Sequence, residues 1–120
     1  MPRPHTVAVV DDDSRVVESL QNLLESAGYT AHGFTSADQL IAHPLWATFD
    51  LLIADIGMPG TDGFALARRV QAERPGTPVL LITGGERPLR EAEAIAAPVL
   101  FKPIDADRLL AEIAEKLAQS

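Results

Sequence analysis

Polar residues that can handle charge stand where apolar runs of the sequence end. The acidic run Asp11–Asp13 follows Thr6–Val10, and Asp55 follows Leu51–Ala54. Two later apolar runs also end in polar residues, which are Thr83 and Lys102. Carboxylates, a hydroxyl and an amine are together the groups that hold a phosphoryl group and a hard metal ion. The first question is therefore whether the fold brings them together.

The carboxylates of Asp11, Asp12 and Asp55 would repel one another if they met. Two unit charges 4 Å apart repel by ~4 kcal/mol at an effective dielectric of about 20. Oxygen ligands without histidine or cysteine suit Mg²⁺, which takes one or two protein carboxylates plus phosphate oxygens. Lys102 would then attract phosphoryl oxygens, and Thr83 would donate its hydroxyl to them. A carboxylate facing a phosphoryl group can also attack it and become an aspartyl phosphate.

Five short apolar runs are predicted to be strands. They are Thr6–Val10, Tyr29–Phe34, Leu51–Ala54, Pro78–Ile82 and Val99–Phe101. The unbroken apolar character of the third run is typical of a parallel strand buried on both faces. The second run is mixed in polarity, which predicts a strand at the edge of the sheet.

Amphipathic segments separate the predicted strands. Apolar residues recur at helical spacing after three positions, which are Asp13, Gly63 and Asp105. Asp62 and Asp105 are predicted caps, and Ser36 begins a short helix that extends to about His43. The segment 86–97 has a poor helical pattern, so we expect only one or two turns there. The prediction is five strands alternating with five helices.

Strict alternation predicts an α/β fold, a doubly wound parallel sheet with helices on both faces. The expected strand order is the flavodoxin-like 2-1-3-4-5, in which ligands gather beyond the carboxyl ends of strands 1 and 3. Asp11, Asp12 and Asp55 would meet there, joined by Thr83 and Lys102 from strands 4 and 5. No linker or internal repeat divides the 120 residues, so we predict a single domain.

Composition excludes several classes of protein. A net charge of −7 argues against direct binding of nucleic acid, which usually needs a basic face. The chain has no cysteine, so it has no disulfide, thiolate nucleophile or cysteine-based metal site. No apolar run approaches the ~20 residues of a membrane span, and Met1–His5 lacks the apolar part of a secretory signal. We expect a cytoplasmic protein that does not bind membranes.

Four segments of the chain together resemble the receiver domain of two-component response regulators, of the chemotaxis-regulator type. They follow that family's order and approximate spacing over nearly the whole chain: Val9–Asp13, Asp55–Gly63, Leu81–Gly84 and Phe101–Pro103. The resemblance implies a signalling protein, not an enzyme, which takes a phosphoryl group from a sensor histidine kinase or phosphotransfer protein. It also implies slow hydrolysis of the aspartyl phosphate. The signal, the downstream protein target and the oligomeric state stay open.

The resemblance also implies a role for each matching residue. Asp55 would be the residue that is phosphorylated. The implied Mg²⁺ ligands are Asp12, Asp55 and the Gly57 carbonyl, with Asp11 assisting through water. Thr83 and Lys102 would bind the phosphoryl group, and the Lys102–Pro103 peptide bond would be cis. Asp13 would belong to the start of a helix and not to the metal site.

The chain departs from the usual receiver pattern at two places. Val99 stands three residues before Lys102, where the family usually has a switching Tyr or Phe, and we expect Phe101 to pack in the core. The segment between Thr83 and Lys102 is about one helical turn shorter than usual. It resembles receivers with Thr-Gly-Gly, a reduced fourth helix and no switch aromatic. We hypothesise that phosphorylation orders or repositions the surface near residues 84–102.

Two other functions account for parts of the sequence. An aspartate phosphatase would use the Asp11-x-Asp13 spacing, but Arg15 stands where that pattern has Thr or Val, and 120 residues leave no room for a cap domain. A receiver-like module that binds partners without phosphorylation would account for Val99, but it gives the acidic cluster no purpose. The last predicted helix runs to the end of the sequence, so both a stand-alone regulator and part of a larger protein stay open.

The remaining residues with distinctive chemistry are predicted to lie outside the site. His5, His32 and His43 have no paired ligand spacing, so we expect all three at the surface. Trp46 is expected to be partly buried where it packs before the third strand. Neither the histidines nor Trp46 is predicted to bind a metal or a cofactor.

Overall fold

The computed structural model of the protein describes residues 4–85 and 94–119. Its strands are β1 (Thr6–Val10), β2 (Thr30–Phe34), β3 (Leu51–Asp55), β4 (Val79–Thr83) and β5 (Val99–Phe101). Within the described residues these five strands form one parallel sheet in the order β2-β1-β3-β4-β5. The predicted flavodoxin-like topology is confirmed, with its switch point between β1 and β3.

The register of the strands aligns their carboxyl ends. Val10 of β1 pairs with Ala54 of β3, so Asp11 and Asp55 each follow directly after this pair. The pairing of β3 with β4 and of β4 with β5 continues the alignment across the sheet and brings Thr83 to the same edge. Because all strands are parallel, the polar residues that follow them share this edge.

Four α-helices and one 3₁₀ helix occur in the described part of the chain. They are α1 (Ser14–Ser26), α2 (Ala37–Ile41), the 3₁₀ helix (Pro44–Ala47), α3 (Gly63–Glu73) and α4 (Ala106–Gln119). The predicted caps are present, since aspartate side chains accept backbone N–H bonds at the starts of α1, α3 and α4: Asp13, Asp62 and Asp105. Ser36 caps α2 through the Gln39 N–H at 3.2 Å.

The sheet is covered on both faces, and alternate residues of each strand face opposite clusters. Leu52 and Ala54 of β3 lie in the cluster formed with α2 and α3, whereas Leu51 and Ile53 lie in the cluster formed with α1 and α4. Every residue of β3 and β4 is buried. Burial of apolar side chains stabilises by ~25 cal/mol per Å², so the strand that carries Asp55 is held firmly.

The short helix predicted to extend to about His43 is present, but the 3₁₀ helix that follows it was not predicted. α2 ends at Ile41, and the separate 3₁₀ helix begins at Pro44. The physical reason is that the proline ring cannot continue an α-helix but is well placed in a first helical turn. His43 Nδ1 accepts a hydrogen bond from the Leu45 N–H at 3.0 Å, which caps the new helix.

Trp46, in the 3₁₀ helix, is partly buried as predicted, and it joins that helix to α3. Its indole Nε1 donates a hydrogen bond to Glu73 Oε1 at 3.2 Å. The Arg69 guanidinium carbon lies 5.5 Å from the centre of its ring, within range of a cation–π contact. Both partners lie on α3, so the loop before β3 is tied to the helix after it.

The prediction that Phe101 packs in the core was wrong, because this side chain is 49 % exposed. β5 is a short strand at the edge of the sheet, and Phe101 is its last residue. Val99 on the same strand face is half-buried against the cluster with α2 and α3. The turns expected within 86–97 fall mostly on residues 86–93, which lie outside the described residues.

Candidate phosphoryl and metal site

Asp55 is the last residue of the central strand β3 and is only 5 % exposed. The four apolar residues before it are fully buried, so the strand carries the carboxylate to the edge of the sheet. Asp55 Oδ1 accepts a hydrogen bond from the Gly57 N–H at 3.1 Å. The side chain is therefore held both by its strand and by the loop that follows.

Asp11 and Asp12 follow β1 and meet Asp55 across the switch point. Ligand oxygens of the three carboxylates lie within 4.8 Å of one another. Asp11 is fully buried, and its Oδ1 accepts the Asp13 N–H at 2.9 Å, whereas Asp12 is exposed. Asp13 turns to the start of α1, as predicted, and accepts the N–H of Arg15. The fold thus assembles the acidic cluster that the spacing predicted.

Lys102 reaches back over the carboxylates from the residue after β5. Its Nζ lies 2.7 Å from Asp11 Oδ2 and 3.5 Å from Asp55 Oδ2, and its side chain is 24 % exposed. The Lys102 backbone N–H donates to the Thr83 carbonyl at 2.8 Å. The buried Thr83 hydroxyl accepts the Gly85 N–H at 3.2 Å. The predicted cis peptide bond between Lys102 and Pro103 is present.

The surroundings of the cluster shift the pKa values of Asp55 and Lys102. Burial is the largest influence on the pKa of Asp55, and it raises that pKa. The Gly57 N–H and Lys102 lower the pKa, whereas the charges of Asp11 and Asp12 raise it. The net result is a pKa above the ordinary value of an aspartate. Burial alone would lower the pKa of Lys102, but hydrogen bonding and attraction from Asp11 and Asp55 outweigh burial and raise it. At Asp55, the Gly57 N–H and the Lys102 ammonium therefore do not offset burial and the charges of the two neighbouring carboxylates.

The donor set fits a hard divalent cation. Asp11 Oδ2 is buried, and its short contact with the Lys102 ammonium is an ion pair. Oxygen ligands from Asp12 and Asp55 lie beside it, and Asp12 is open to solvent. Mg²⁺ prefers carboxylate oxygens and keeps several waters, which an exposed ligand allows. Within the described residues, this is the only group of three side chains able to hold a metal.

Gly57, whose carbonyl was an implied metal ligand, lies in the exposed loop next to this cluster. A Cβ at this position would meet only Asp55 Oδ1, at 3.8 Å. The geometry of the Gly57 carbonyl towards a metal stays a prediction.

The histidines lie at the surface, as predicted. Nevertheless, the rings of His32 and His43 come within 6.4 Å of each other, a proximity that their spacing in the sequence did not indicate. His43 Nδ1 is occupied as the acceptor that caps the 3₁₀ helix. A histidine that binds a metal normally donates from its other ring nitrogen, so this arrangement does not favour a second metal site.

A groove beside Lys102 was not predicted. It has a volume of about 600 Å³ and lies between α1 and the residues that follow β5. Its apolar lining includes Val16, Leu20 and Leu23 of α1 and Ile104. No local pattern could have revealed it, because its two walls are distant in sequence and only the sheet topology joins them.

The sequence pattern of the response regulator receiver domain family matches residues 7–114. The chain belongs to this family. The predicted resemblance is therefore confirmed over nearly the whole chain. Receiver domains of response regulators are signalling modules, which agrees with the acidic pocket at the carboxyl edge of this sheet.

The chain is similar to curated regulatory proteins and to solved receiver domains. The chain is 36% identical over 117 residues to the transcriptional regulatory protein FixJ of Bradyrhizobium diazoefficiens. It is 41% identical over 110 residues to the C4-dicarboxylate transport transcriptional regulatory protein DctD of Rhizobium meliloti. A CheY-like receiver domain protein from Methanospirillum hungatei superimposes with a TM-score of 0.88 at 27% identity, covering 96% of this chain and 94% of that one.

This receiver spans only part of the curated relatives that it matches. The aligned region covers 95% of this chain but 57% of FixJ, and 88% of this chain but 24% of DctD. The similarity therefore concerns the receiver part of those proteins. Among the described residues, the helices are too short or too polar to cross a lipid bilayer.

Proposed function

We propose that this receiver accepts a phosphoryl group on Asp55 in an Mg²⁺-dependent reaction and thereby controls a partner protein. The observation that carries the proposal is the position of the buried Asp55 carboxylate. It lies within reach of two further carboxylates and 3.5 Å from the Lys102 ammonium. A purely structural carboxylate would not be expected to share such a site with two more acids, because their repulsion costs stability.

The proposed reaction is a phosphoryl transfer from a phosphohistidine. A carboxylate oxygen of Asp55 attacks the phosphorus, the P–N bond to the donor imidazole breaks, and the imidazole nitrogen takes a proton from solvent. Hydrolysis later returns the carboxylate and inorganic phosphate. Positioning and charge stabilisation are the main contributions a protein makes to such a transfer.

Each residue of the site has a proposed role. The metal ligands are Asp11 through water, Asp12, Asp55 and the Gly57 carbonyl. Bound Mg²⁺ would supply positive charge for the phosphoryl oxygens. Lys102 already contacts Asp11 and Asp55, so its ammonium is placed to bind a phosphoryl oxygen. Thr83 would donate its hydroxyl to another oxygen.

The proposed partners are a sensor histidine kinase or phosphotransfer protein upstream and a protein target downstream. Residues 1–120 are proposed to act as one receiver domain in the cytoplasm, a reducing compartment that suits a chain without cysteine. Phosphorylation is proposed to change the surface near residues 84–102. Val99 replaces the usual switch aromatic, so the change would not be a ring rotation at this position.

The direct test is the intact mass of the protein after treatment with acetyl phosphate and Mg²⁺. We expect a gain of about 80 Da, the mass of one phosphoryl group, and no gain with a chelator. Asp55→Asn should abolish the adduct. Asp38→Asn makes the same chemical change on the exposed side of α2 and should leave the adduct unchanged.

The absence of an adduct would require a second measurement, because rapid hydrolysis could remove it. Beryllofluoride binds as a stable mimic of the phosphoryl group, and with Mg²⁺ it should raise the melting temperature of the wild type but not of Asp55→Asn. Failure of both experiments would contradict the proposal. The leading function would then be a receiver-like module that binds partners without phosphorylation.

A further inference from the structure

The first residue of α3 packs directly against the backbone of Asp55. Gly63 is buried, and a Cβ built on it would lie 2.6 Å from the Asp55 carbonyl oxygen and 2.9 Å from the carbonyl carbon. Real Cβ atoms essentially never come within 3.0 Å of a heavy atom outside their own residue and its two chain neighbours. Since the neighbour is backbone, no side chain can turn away to make room. Position 63 therefore has no space for a side chain while Asp55 keeps its place.

Both sides of this contact are held by other interactions. On the strand side, the Ile56 N–H donates to the Ile82 carbonyl at 2.9 Å, which continues the sheet pairing beyond Asp55. On the helix side, Phe64 next to Gly63 is 2 % exposed and belongs to the core. Because both sides are held by packing elsewhere, no distant rearrangement relieves the clash, and the backbone at the contact itself, which is the Asp55 end of β3, has to shift.

The other glycines of the same loop face no such restriction. A Cβ at Gly57 would meet only Asp55 Oδ1 at 3.8 Å, an ordinary contact distance, and one at Gly60 would meet nothing within 4 Å. Gly60 has a φ of 73°, so this position favours glycine for its backbone conformation and not for lack of space. Of these loop glycines, Gly63 alone touches the backbone of Asp55.

We propose that Gly63 is a positioning residue for the phosphorylation of Asp55, an inference that rests on the function proposed above. The absent side chain lets the start of α3 seat directly on the Asp55 carbonyl. An ordinary contact begins near 3.4 Å, so a methyl group 2.6 Å away must push the two backbones apart by about 0.8 Å. That displacement would carry the Asp55 carboxylate away from its partners, which are Asp11, Asp12 and Lys102.

The size of the expected effect follows from the demands of phosphoryl transfer. A misplacement of about 1 Å can cost roughly 100-fold in rate when the reacting atoms must be aligned. We therefore expect Gly63→Ala to lower the phosphorylation rate of each folded molecule by roughly 10- to 100-fold. Beryllofluoride with Mg²⁺ should bind correspondingly more weakly, because it uses the same carboxylate.

The test compares Gly63→Ala with a glycine variant remote from the site. Gly28 follows α1 at its far end and has a φ of 94°, and a methyl group added to it would have no other heavy atom within 4 Å. Gly28→Ala should therefore destabilise the fold through backbone strain alone. The folded fraction is measured by circular dichroism, and the phosphorylation rate by intact mass with acetyl phosphate and Mg²⁺. Both are repeated in trimethylamine N-oxide, which favours the folded state of either variant.

The result expected is a low rate for Gly63→Ala that persists when the osmolyte restores folding. Gly28→Ala should react at the wild-type rate for each folded molecule. A Gly63→Ala rate equal to that of the wild type, or one that recovers together with folding, would overturn the proposal. If the wild type itself is not phosphorylated and does not bind beryllofluoride, the proposed function fails, which is a different outcome.

A second variant keeps the test valid if Gly63→Ala alone fails to fold. Ala96 has a φ of 55°, a conformation that favours glycine, so Ala96→Gly should stabilise the chain without touching Asp55. Gly63→Ala is therefore also made in the Ala96→Gly background. If this double variant stays unfolded in the osmolyte, Gly63 is a requirement of the whole fold, and its specific role in positioning is overturned.

Discussion

At the scale of single residues, the site is a balance between three carboxylates and one ammonium. Asp11 is fully buried, and Lys102 lies 2.7 Å from its Oδ2. A buried charge that loses its partner is costly, often by several kcal/mol, although partial exposure of the partner reduces the effect. Lys102 therefore stabilises the metal-free protein in addition to its proposed role in binding the phosphoryl group.

Replacement of Lys102 should change both the stability of the metal-free protein and its response to Mg²⁺. In a chelator, Lys102→Ala should lower the free energy of unfolding by about 1–3 kcal/mol, because the buried Asp11 carboxylate loses its ion-pair partner. Added Mg²⁺ should raise the melting temperature of the variant more than that of the wild type, since it supplies the missing positive charge. Calorimetry with and without Mg²⁺ measures both effects.

Arg15→Ala is the matched control, because it removes a cation from an ion pair that is exposed on both sides. It should cause no measurable change in stability or in the response to Mg²⁺. A Lys102→Ala protein as stable as the wild type in the chelator would contradict the assigned balance of charges.

The raised pKa of Asp55 predicts a pH dependence of stability in the metal-free protein. A carboxyl whose pKa is raised by folding stabilises the fold below its unfolded pKa, and that contribution is lost as the pH rises through the folded pKa. At pH 7 and with a chelator, Asp55→Asn should therefore be more stable than the wild type, by on the order of 1 kcal/mol.

Urea unfolding at a series of pH values measures this difference. The advantage of Asp55→Asn should shrink as the pH falls towards 3.8, the ordinary pKa of an aspartate, because the wild-type carboxyl then becomes neutral as well. A wild type that is more stable than Asp55→Asn at pH 7 in a chelator would contradict the assigned direction.

At the scale of elements, the site depends on how closely α1 packs on the strands next to it. A Cβ on Gly33 of β2 would lie 2.2 Å from Val17 Cγ1 and 2.8 Å from Gln21 Oε1, both on α1. Asp12 lies just before this helix, and the Asp11 N–H is bonded to the Phe34 carbonyl at 3.1 Å. Close packing of α1 on β2 therefore helps to set the position of the acidic cluster.

Gly33→Ala should destabilise the protein by about 1–3 kcal/mol, because the methyl group overpacks the interface between β2 and α1. Val17→Ala in the same chain removes the atom that the methyl group would meet. The double variant should then lose less stability than the sum of the two single variants, as measured by urea unfolding. Strict additivity would show that the two positions do not contact each other in this way.

At the scale of the whole molecule, one sheet and its two apolar clusters should unfold together. The clusters lie on opposite faces of the same strands, so neither can lose its packing without exposing the sheet. Domains of this size usually unfold in one cooperative transition. A ligand bound only by the folded state therefore stabilises every element at once.

Beryllofluoride with Mg²⁺ should raise the stability of the whole domain. At 100 times its dissociation constant, a ligand at one site adds about 2.7 kcal/mol to the free energy of unfolding. Circular dichroism and Trp46 fluorescence should report the same shifted transition, since Trp46 is tied to α3. Separate transitions for the two probes would show that the domain does not act as one unit.

The local sequence predicted the strands and the helix caps well, but it predicted the exposure of some side chains poorly. β1 and β5 have the predicted bounds, and Asp62 and Asp105 cap helices as expected. These features depend on neighbours in the chain. The exposure of Phe101 was mispredicted, because burial at the end of an edge strand depends on packing with residues distant in sequence.

By itself, the sequence determined the alternation of strands and helices, the strand order and the acids that follow two apolar strands. Periodicity and turn residues act over a few positions, and the rules of parallel connection then leave few topologies. Together they were enough to predict that Asp11, Asp12 and Asp55 share an edge.

Only the tertiary structure decided distances and free space. It placed Lys102 on Asp11, it opened the groove between α1 and the residues after β5, and it left no room at Gly63. The physical reason is that close packing acts on a scale of tenths of an ångström between residues far apart in the chain. No pattern of neighbouring residues encodes such contacts.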